Sequence, residues 1–133
     1  MISQTARYAL HILGYLVAHR GELARGEAIS VATGIPANYL SKILNQLRKS
    51  GIVDSQKGWH GGFAVRESAL ERPIRDVLAV IDGSESVDRS DCIFGLPECD
   101  DRNPCPLHPQ WEGIRDSYTA MVSRTRIRDL TTG

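Results

Sequence analysis

The sequence predicts a mainly α chain with one small β-hairpin and a long final helix, and three observations predict it. Apolar residues recur at helical spacing in four separate stretches. Two short alternating runs, Ile52-Val53-Asp54-Ser55 and Phe63-Ala64-Val65, flank the Gly-rich turn Q-K-G-W-H-G-G. Between residues 91 and 111 the chain loses all hydrophobic period and gathers its three cysteines.

The first helix is expected over Ser3 to His19, with Ala6, Ala9, Leu10, Leu13, Leu16 and Val17 on its buried face. Arg20-Gly21 ends it. A short helix over Glu27 to Thr33 closes at Gly34. Pro36 opens the next in its first turn, and Gly51 stops it. There Leu40, Ile43, Leu44 and Leu47 mark the buried face. The opposite face presents Asn38, Tyr39, Ser41, Lys42, Asn45, Gln46 and Lys49, which are base-edge and phosphate readers with no acid among them. Two helices joined by a tight Gly turn, the second cationic outside, form a helix-turn-helix signature. A hairpin directly after it is a wing. Its candidate DNA contacts are Lys57, Trp59, His60 and Gly61, with Trp59 expected to cover the base of the wing.

Pro73 to Ile81 forms another helix, burying Ile74, Val77, Leu78 and Ile81. The last begins at Pro109, with His108 as its N-cap, and carries the stripe Trp111, Ile114, Tyr118, Met121 and Val122. That stripe is the expected dimer interface, because helix-turn-helix proteins read two half-sites roughly 34–36 Å apart. Ile127 and Leu130 of the tail are expected to pack back on the body. The chain thus divides into a winged helix-turn-helix domain (residues 1–83), a cysteine-rich loop (84–108), and a dimerisation helix with tail (109–133).

Charge supports the division. Residues 1–66 hold eight Lys/Arg against three acids, a balance of +5, and residues 67–133 hold eight against thirteen, a balance of −5. A basic half suits double-stranded DNA; an acidic half with the cysteines suits a cation. No apolar run approaches 18 residues, so no membrane helix is expected. The N-terminus lacks a signal-peptide pattern, and the expected location is cytoplasmic.

The four soft or borderline ligands are spaced Cys92-x6-Cys99-x5-Cys105-x2-His108. Structural zinc sites bring their ligands in two close pairs. Only Cys105 and His108 are close here, so the wide loop suits an iron–sulfur cluster better than zinc. Three reduced thiols in a flexible acidic loop form the bland alternative. A small redox or zinc enzyme built on Cys105 and His108 has no support elsewhere: the sequence shows no phosphate-binding loop and no C-x-x-C.

Taken together, the residues resemble the Rrf-type winged-helix repressors, the iron–sulfur regulators of the IscR and NsrR kind. The matching pieces are A-R-Y-A-L in the first helix, I-P-A-N-Y-L-S-K-I-L-N-Q-L-R-K-S-G-I-V in the reading unit, K-G-W-H-G-G-F in the wing, and three spaced cysteines followed by L-H-P-Q-W. The resemblance covers nearly the whole chain. It implies a homodimeric transcription factor that binds pseudo-palindromic operator DNA and carries a cluster on Cys92, Cys99, Cys105 and His108. In relatives with a four-iron (4Fe-4S) cluster, an acidic residue of the partner's first helix completes the set, just before the Tyr-Ala pair. Here that position is Arg7, which favours His108 and a two-iron (2Fe-2S) cluster. The gap between Cys92 and Cys99 is one residue longer than in the best-known members, which leaves the loop's path and the cluster type open.

Overall fold

The computed structural model describes residues 2–83 and 102–131. Cys92, Cys99 and the acidic run around them lie outside that range, as does most of the expected cysteine loop. Seven elements carry the fold: α1 (Gln4–Ala18), α2 (Gly26–Thr33), α3 (Ala37–Lys49), β1 (Val53–Gln56), β2 (Gly62–Val65), α4 (Ile74–Asp82) and α5 (His108–Arg124). No helix among the described residues is long and apolar enough to cross a membrane.

Helix α1 starts at Ser3, whose Oγ accepts from the backbone N–H of Ala6 at 3.0 Å and so satisfies one orphan donor of the first turn. The same hydroxyl donates to Asp82 Oδ1 at 2.7 Å, tying the start of α1 to the end of α4. The buried face of α1 is Ala6, Ala9, Ile12, Leu13, Leu16 and Val17. Ile12 replaces Leu10 in the expected stripe. The two lie on opposite flanks of that stripe, and the main core covers the Ile12 flank, while Leu10 is only partly buried between two clusters.

Helix α2 closes at Gly34, whose φ of 74° is the left-handed cap that glycine adopts without strain. Pro36 stands at the N-cap of α3, one position before the expected first turn. Leu40, Ile43, Leu44 and Leu47 are all buried against α1 and α2, so the period-3.6 stripe predicts this face in full. Strands β1 and β2 pair antiparallel from Val53↔Val65 to Gln56↔Gly62. A third segment joins them. The Ala24 N–H donates to the Phe63 carbonyl at 2.9 Å and the Phe63 N–H to the Ala24 carbonyl at 2.7 Å. This pairing had no sequence signal, since one residue shows no period.

Helix α4 buries Ile74, Val77 and Leu78, with Ile81 only partly covered. Val77 joins the main core, while Ile74 and Leu78, together with Ala6, receive Tyr118 and Val122 of α5. Helix α5 begins at His108 itself, with Leu107 before it, so His108 is the first helical residue and not the cap. The expected stripe of α5 also divides. Trp111, Tyr118 and Val122 are buried within the chain, whereas Ile114 and Met121 stay 52% and 45% exposed on the adjoining face.

After Thr125 the chain turns back along the start of α4. The Ile74 N–H donates to the Thr125 carbonyl (2.9 Å), the Ile127 N–H to Arg72 (2.9 Å) and the Arg128 N–H to Leu70 (3.0 Å). Glu71 holds the same segment from outside, with Arg126 at 2.8 Å and Arg128 at 2.6 Å. Ile127 is fully buried and Leu130 packs on the core, as expected of the tail. Gly14 makes this docking possible: a Cβ there would lie 2.6 Å from the Leu130 carbonyl oxygen. Gly14→Ala is expected to lower stability by about 1–3 kcal/mol through that clash, less up to ~1 kcal/mol of helix propensity regained. Urea unfolding checks it; a variant at least as stable as the parent would mean that the tail gives way freely.

Candidate nucleic-acid interface and cysteine site

The wing stands beside α3 and leaves a cleft of about 790 Å³ between them. Ser41, Asn45 and Arg48 line one wall, Gln56, Lys57 and Gly61 the other, and Arg25 and Glu27 the floor at the start of α2. Three cations therefore face one carboxylate. A second acid near the wing, Asp54, is already neutralised: Arg66 donates to its Oδ1 through Nε (2.9 Å) and Nη2 (2.8 Å). Both groups are half exposed, so the pair contributes only about 0.2–1 kcal/mol to stability. Its larger effect is that the Asp54 carboxylate does not stand as a bare charge beside the hairpin.

All seven expected contact residues of α3 are exposed. They separate into two edges. Ser41 and Asn45 turn toward the wing, with Asn38 and Lys49 near the crest. Tyr39 and Gln46 turn away from it, and the ring of Tyr39 lies 6.4 Å from that of Tyr8 in α1. Arg48 belongs to the wing-side edge and was missed. It follows Ser41 and Asn45 at i+7 and i+3, the spacing that reveals a shared face, and its Nη2 donates to Asn45 Oδ1 at 2.7 Å.

In the wing, Lys57, Trp59 and His60 are exposed and Gly61 is buried. Trp59 does not cover the wing's base; it is 87% exposed at the tip. Gly61 is needed by the turn itself. A Cβ there would come within 2.1 Å of the Gln56 carbonyl oxygen, and its N–H donates to Gly58 at 3.0 Å. For Lys57→Ala the expected result is weaker binding to all duplexes and a salt slope smaller by about 1. An unchanged slope in binding titrations across salt concentrations would remove Lys57 from the phosphate contacts.

Of the expected metal ligands, Cys105 and His108 fall within the described residues. They are 7% and 8% exposed, one turn apart, with the His108 N–H donating to the Cys105 carbonyl at 3.1 Å. His108 Nε2 lies 3.8 Å from Glu112 Oε2, one turn along α5. Among the described residues no group of three or more metal-binding side chains converges. A thiol and an imidazole held together in a buried turn still fit half of a three-thiolate, one-imidazole donor set.

This arrangement of helices, hairpin and basic cleft defines a winged helix-turn-helix protein that binds DNA. The Rrf2 profile, described as "Iron-dependent Transcriptional regulator", matches residues 2–133. The chain belongs to the Rrf2 family of transcriptional regulators. It is 31% identical over 132 residues to a protein of Aquifex aeolicus described as an HTH-type transcriptional regulator, covering 98% of this chain and 90% of that one. It is 32% identical over 102 residues to the regulator IscR of Photorhabdus laumondii, covering 77% of this chain and 60% of that longer protein. In fold it resembles CymR of B. subtilis, a global cysteine regulator, with a TM-score of 0.79 at 24% identity, covering 98% of this chain and 95% of that one. It resembles IscR of T. potens with a TM-score of 0.71 at 20% identity, covering 98% and 85%. These relatives regulate transcription and are not enzymes.

Proposed function

We propose that the chain is a homodimeric, cytoplasmic repressor whose hold on operator DNA depends on an iron–sulfur cluster bound by Cys92, Cys99, Cys105 and His108. The observation that carries this reading is the buried Cys105–His108 turn at the head of α5, about three to four turns before Tyr118 and Val122 dock on the DNA-reading unit. The first two cysteines would close the site from the loop. The donor set of three thiolates with one neutral imidazole favours a two-iron cluster, which would supply a redox centre that also reacts with nitric oxide.

The chain's own residues do the rest. Asn38, Tyr39, Ser41, Lys42, Asn45, Gln46 and Lys49 present α3 to the major groove, while Lys57, Trp59, His60 and Gly61 form the wing beside it. Lys42, Lys49 and Lys57 hold phosphates, and Ser41, Asn45 and Gln46 read base edges. Ile114 and Met121 form the exposed part of the dimer face on α5, continuous with the inner stripe of Trp111, Tyr118 and Val122. Ordering of the loop around Cys105 would set the position of α5, and with it the spacing of the two α3 helices. A signal requires that the two states differ in DNA affinity.

Anaerobic purification tests the reading. The protein is expected to be brown, with visible charge-transfer bands and matching iron and sulfide, and to change its affinity for DNA when the cluster is removed. A colourless protein carrying one zinc per chain would sink the sensor and leave a zinc-stabilised winged helix.

A further inference from the structure

Residues 24 and 25 hold the wing at two heights. Along its outer strand pairs, next to the turn, Ala24 completes a ladder with Phe63, and Gly62 packs so closely that a Cβ on it would lie 2.7 Å from the Ala24 carbonyl oxygen. At its tip, the Arg25 guanidinium donates through Nη2 to the carbonyl of Trp59. Arg25 is the N-cap residue of α2, so the bond ties the tip to an element outside the hairpin. An isolated hairpin of four-residue strands would flex at that point.

What this bond presents is an indole. Trp59 is 87% exposed, an unusual state for the largest apolar side chain, and its neighbours are Lys57, Gly58 and His60. Gly58 has a φ of 107°, which turns the backbone sharply before the tryptophan. The tip is cationic, narrow and apolar at its end. Side chains of that kind enter the minor groove and lie against sugars or wedge between base steps.

We infer that Arg25 is a positioning residue that holds the wing tip so that Trp59 enters the minor groove as an apolar contact, favouring A·T-rich or easily unstacked steps there. The inference rests on the DNA-binding reading of the wing and adds an anchor and a minor-groove preference to it. The narrower groove of A·T-rich DNA attracts the cations beside the indole, and pyrimidine–purine steps part most readily.

The test uses the full chain and a duplex it selects from a random-sequence pool. The chain has two tryptophans, and Trp111 is buried, so acrylamide quenching reports Trp59. Bound duplex is expected to shield the quenchable fraction, which is absent from Trp59→Phe. Trp59→Ala and Arg25→Ala should each weaken binding on the order of tenfold. Arg25→Lys should recover part of the loss, and the double variant should bind no worse than Trp59→Ala alone, since both act through one contact. Additive losses would make Arg25 an independent phosphate contact and overturn the positioning role. A Trp59 that stays fully quenchable in the complex would overturn the groove contact. Replacing G·C by inosine·C under the wing, which alters only the minor groove, should strengthen binding of the parent and leave Trp59→Ala unchanged; no effect on the parent would also count against it. If Lys42→Ala and Lys49→Ala lose affinity while these variants do not, DNA binding stands and the Trp59 inference fails. If the parent selects no duplex at all, the DNA reading fails with it.

Discussion

Cys105→Ser is expected to yield a colourless protein that still folds. A serine hydroxyl is not ionised near neutral pH and cannot replace a thiolate toward iron. The change removes a single atom type from a buried turn, so the helices should survive it. His108→Ala should also lose the cluster, or bind it so weakly that it bleaches in air. His108→Cys should restore the colour and lower the reduction potential by on the order of 100 mV, because a charged thiolate replaces a neutral imidazole. Visible spectra, iron content and a redox titration check all three. An His108→Ala protein with the parent spectrum would show that another group completes the site. The buried position of both side chains makes the test sharp, since neither is open to casual binding from solvent.

Gly61→Ala should remove most of the DNA affinity and leave the core in place. The added methyl would stand 2.1 Å from the Gln56 carbonyl oxygen and 2.8 Å from the Lys57 carbonyl carbon. Both are backbone atoms and cannot swing aside, so the turn must open and carry Lys57 and Trp59 away from α3. The hairpin's base, with Val53 and Val65, belongs to the main core and holds the strands below. Stability should fall by about 1–3 kcal/mol, as for other overpacked sites, while affinity falls at least on the order of tenfold. Circular dichroism melts and DNA titrations separate the two. A variant that binds like the parent would show that the wing plays no part.

The reading unit was legible in the sequence because its signals are periodic. Leu40, Ile43, Leu44 and Leu47 announce the buried face of α3, and the Gly-rich turn between two alternating runs announces the hairpin. Non-periodic features escaped. Ala24 pairs with Phe63 through a single residue, and Arg25 reaches Trp59 across 34 positions, so neither left a local trace. Trp59 was expected to cover the wing because large aromatics bury themselves when they can; here the hairpin is too short to offer a surface. The stripe on α5 reads in the sequence as one face. Its residues in fact straddle the edge where the chain's own core stops, and Ile114 and Met121 lie past it. His108 differed by one position, since helix starts set by Pro109 do not reveal which residue before it has turned helical. As for the candidate metal site, the ligand types stood out from their clustering alone, but Cys92 and Cys99 lie outside the described residues.

Helix α5 is held along its length. Its later turns are clamped by Tyr118, Val122 and the Thr125–Ile74 bond, and its first turns carry the buried His108 and Trp111, with His108 ten residues, about 15 Å, up the axis from Tyr118. Such a helix behaves as a lever. An ångström of movement at the His108 end corresponds to a tilt of only about 4° at Tyr118. A tilt that small leaves the packing of Tyr118 and Val122 in place and is carried along the rod to the exposed face that bears Ile114.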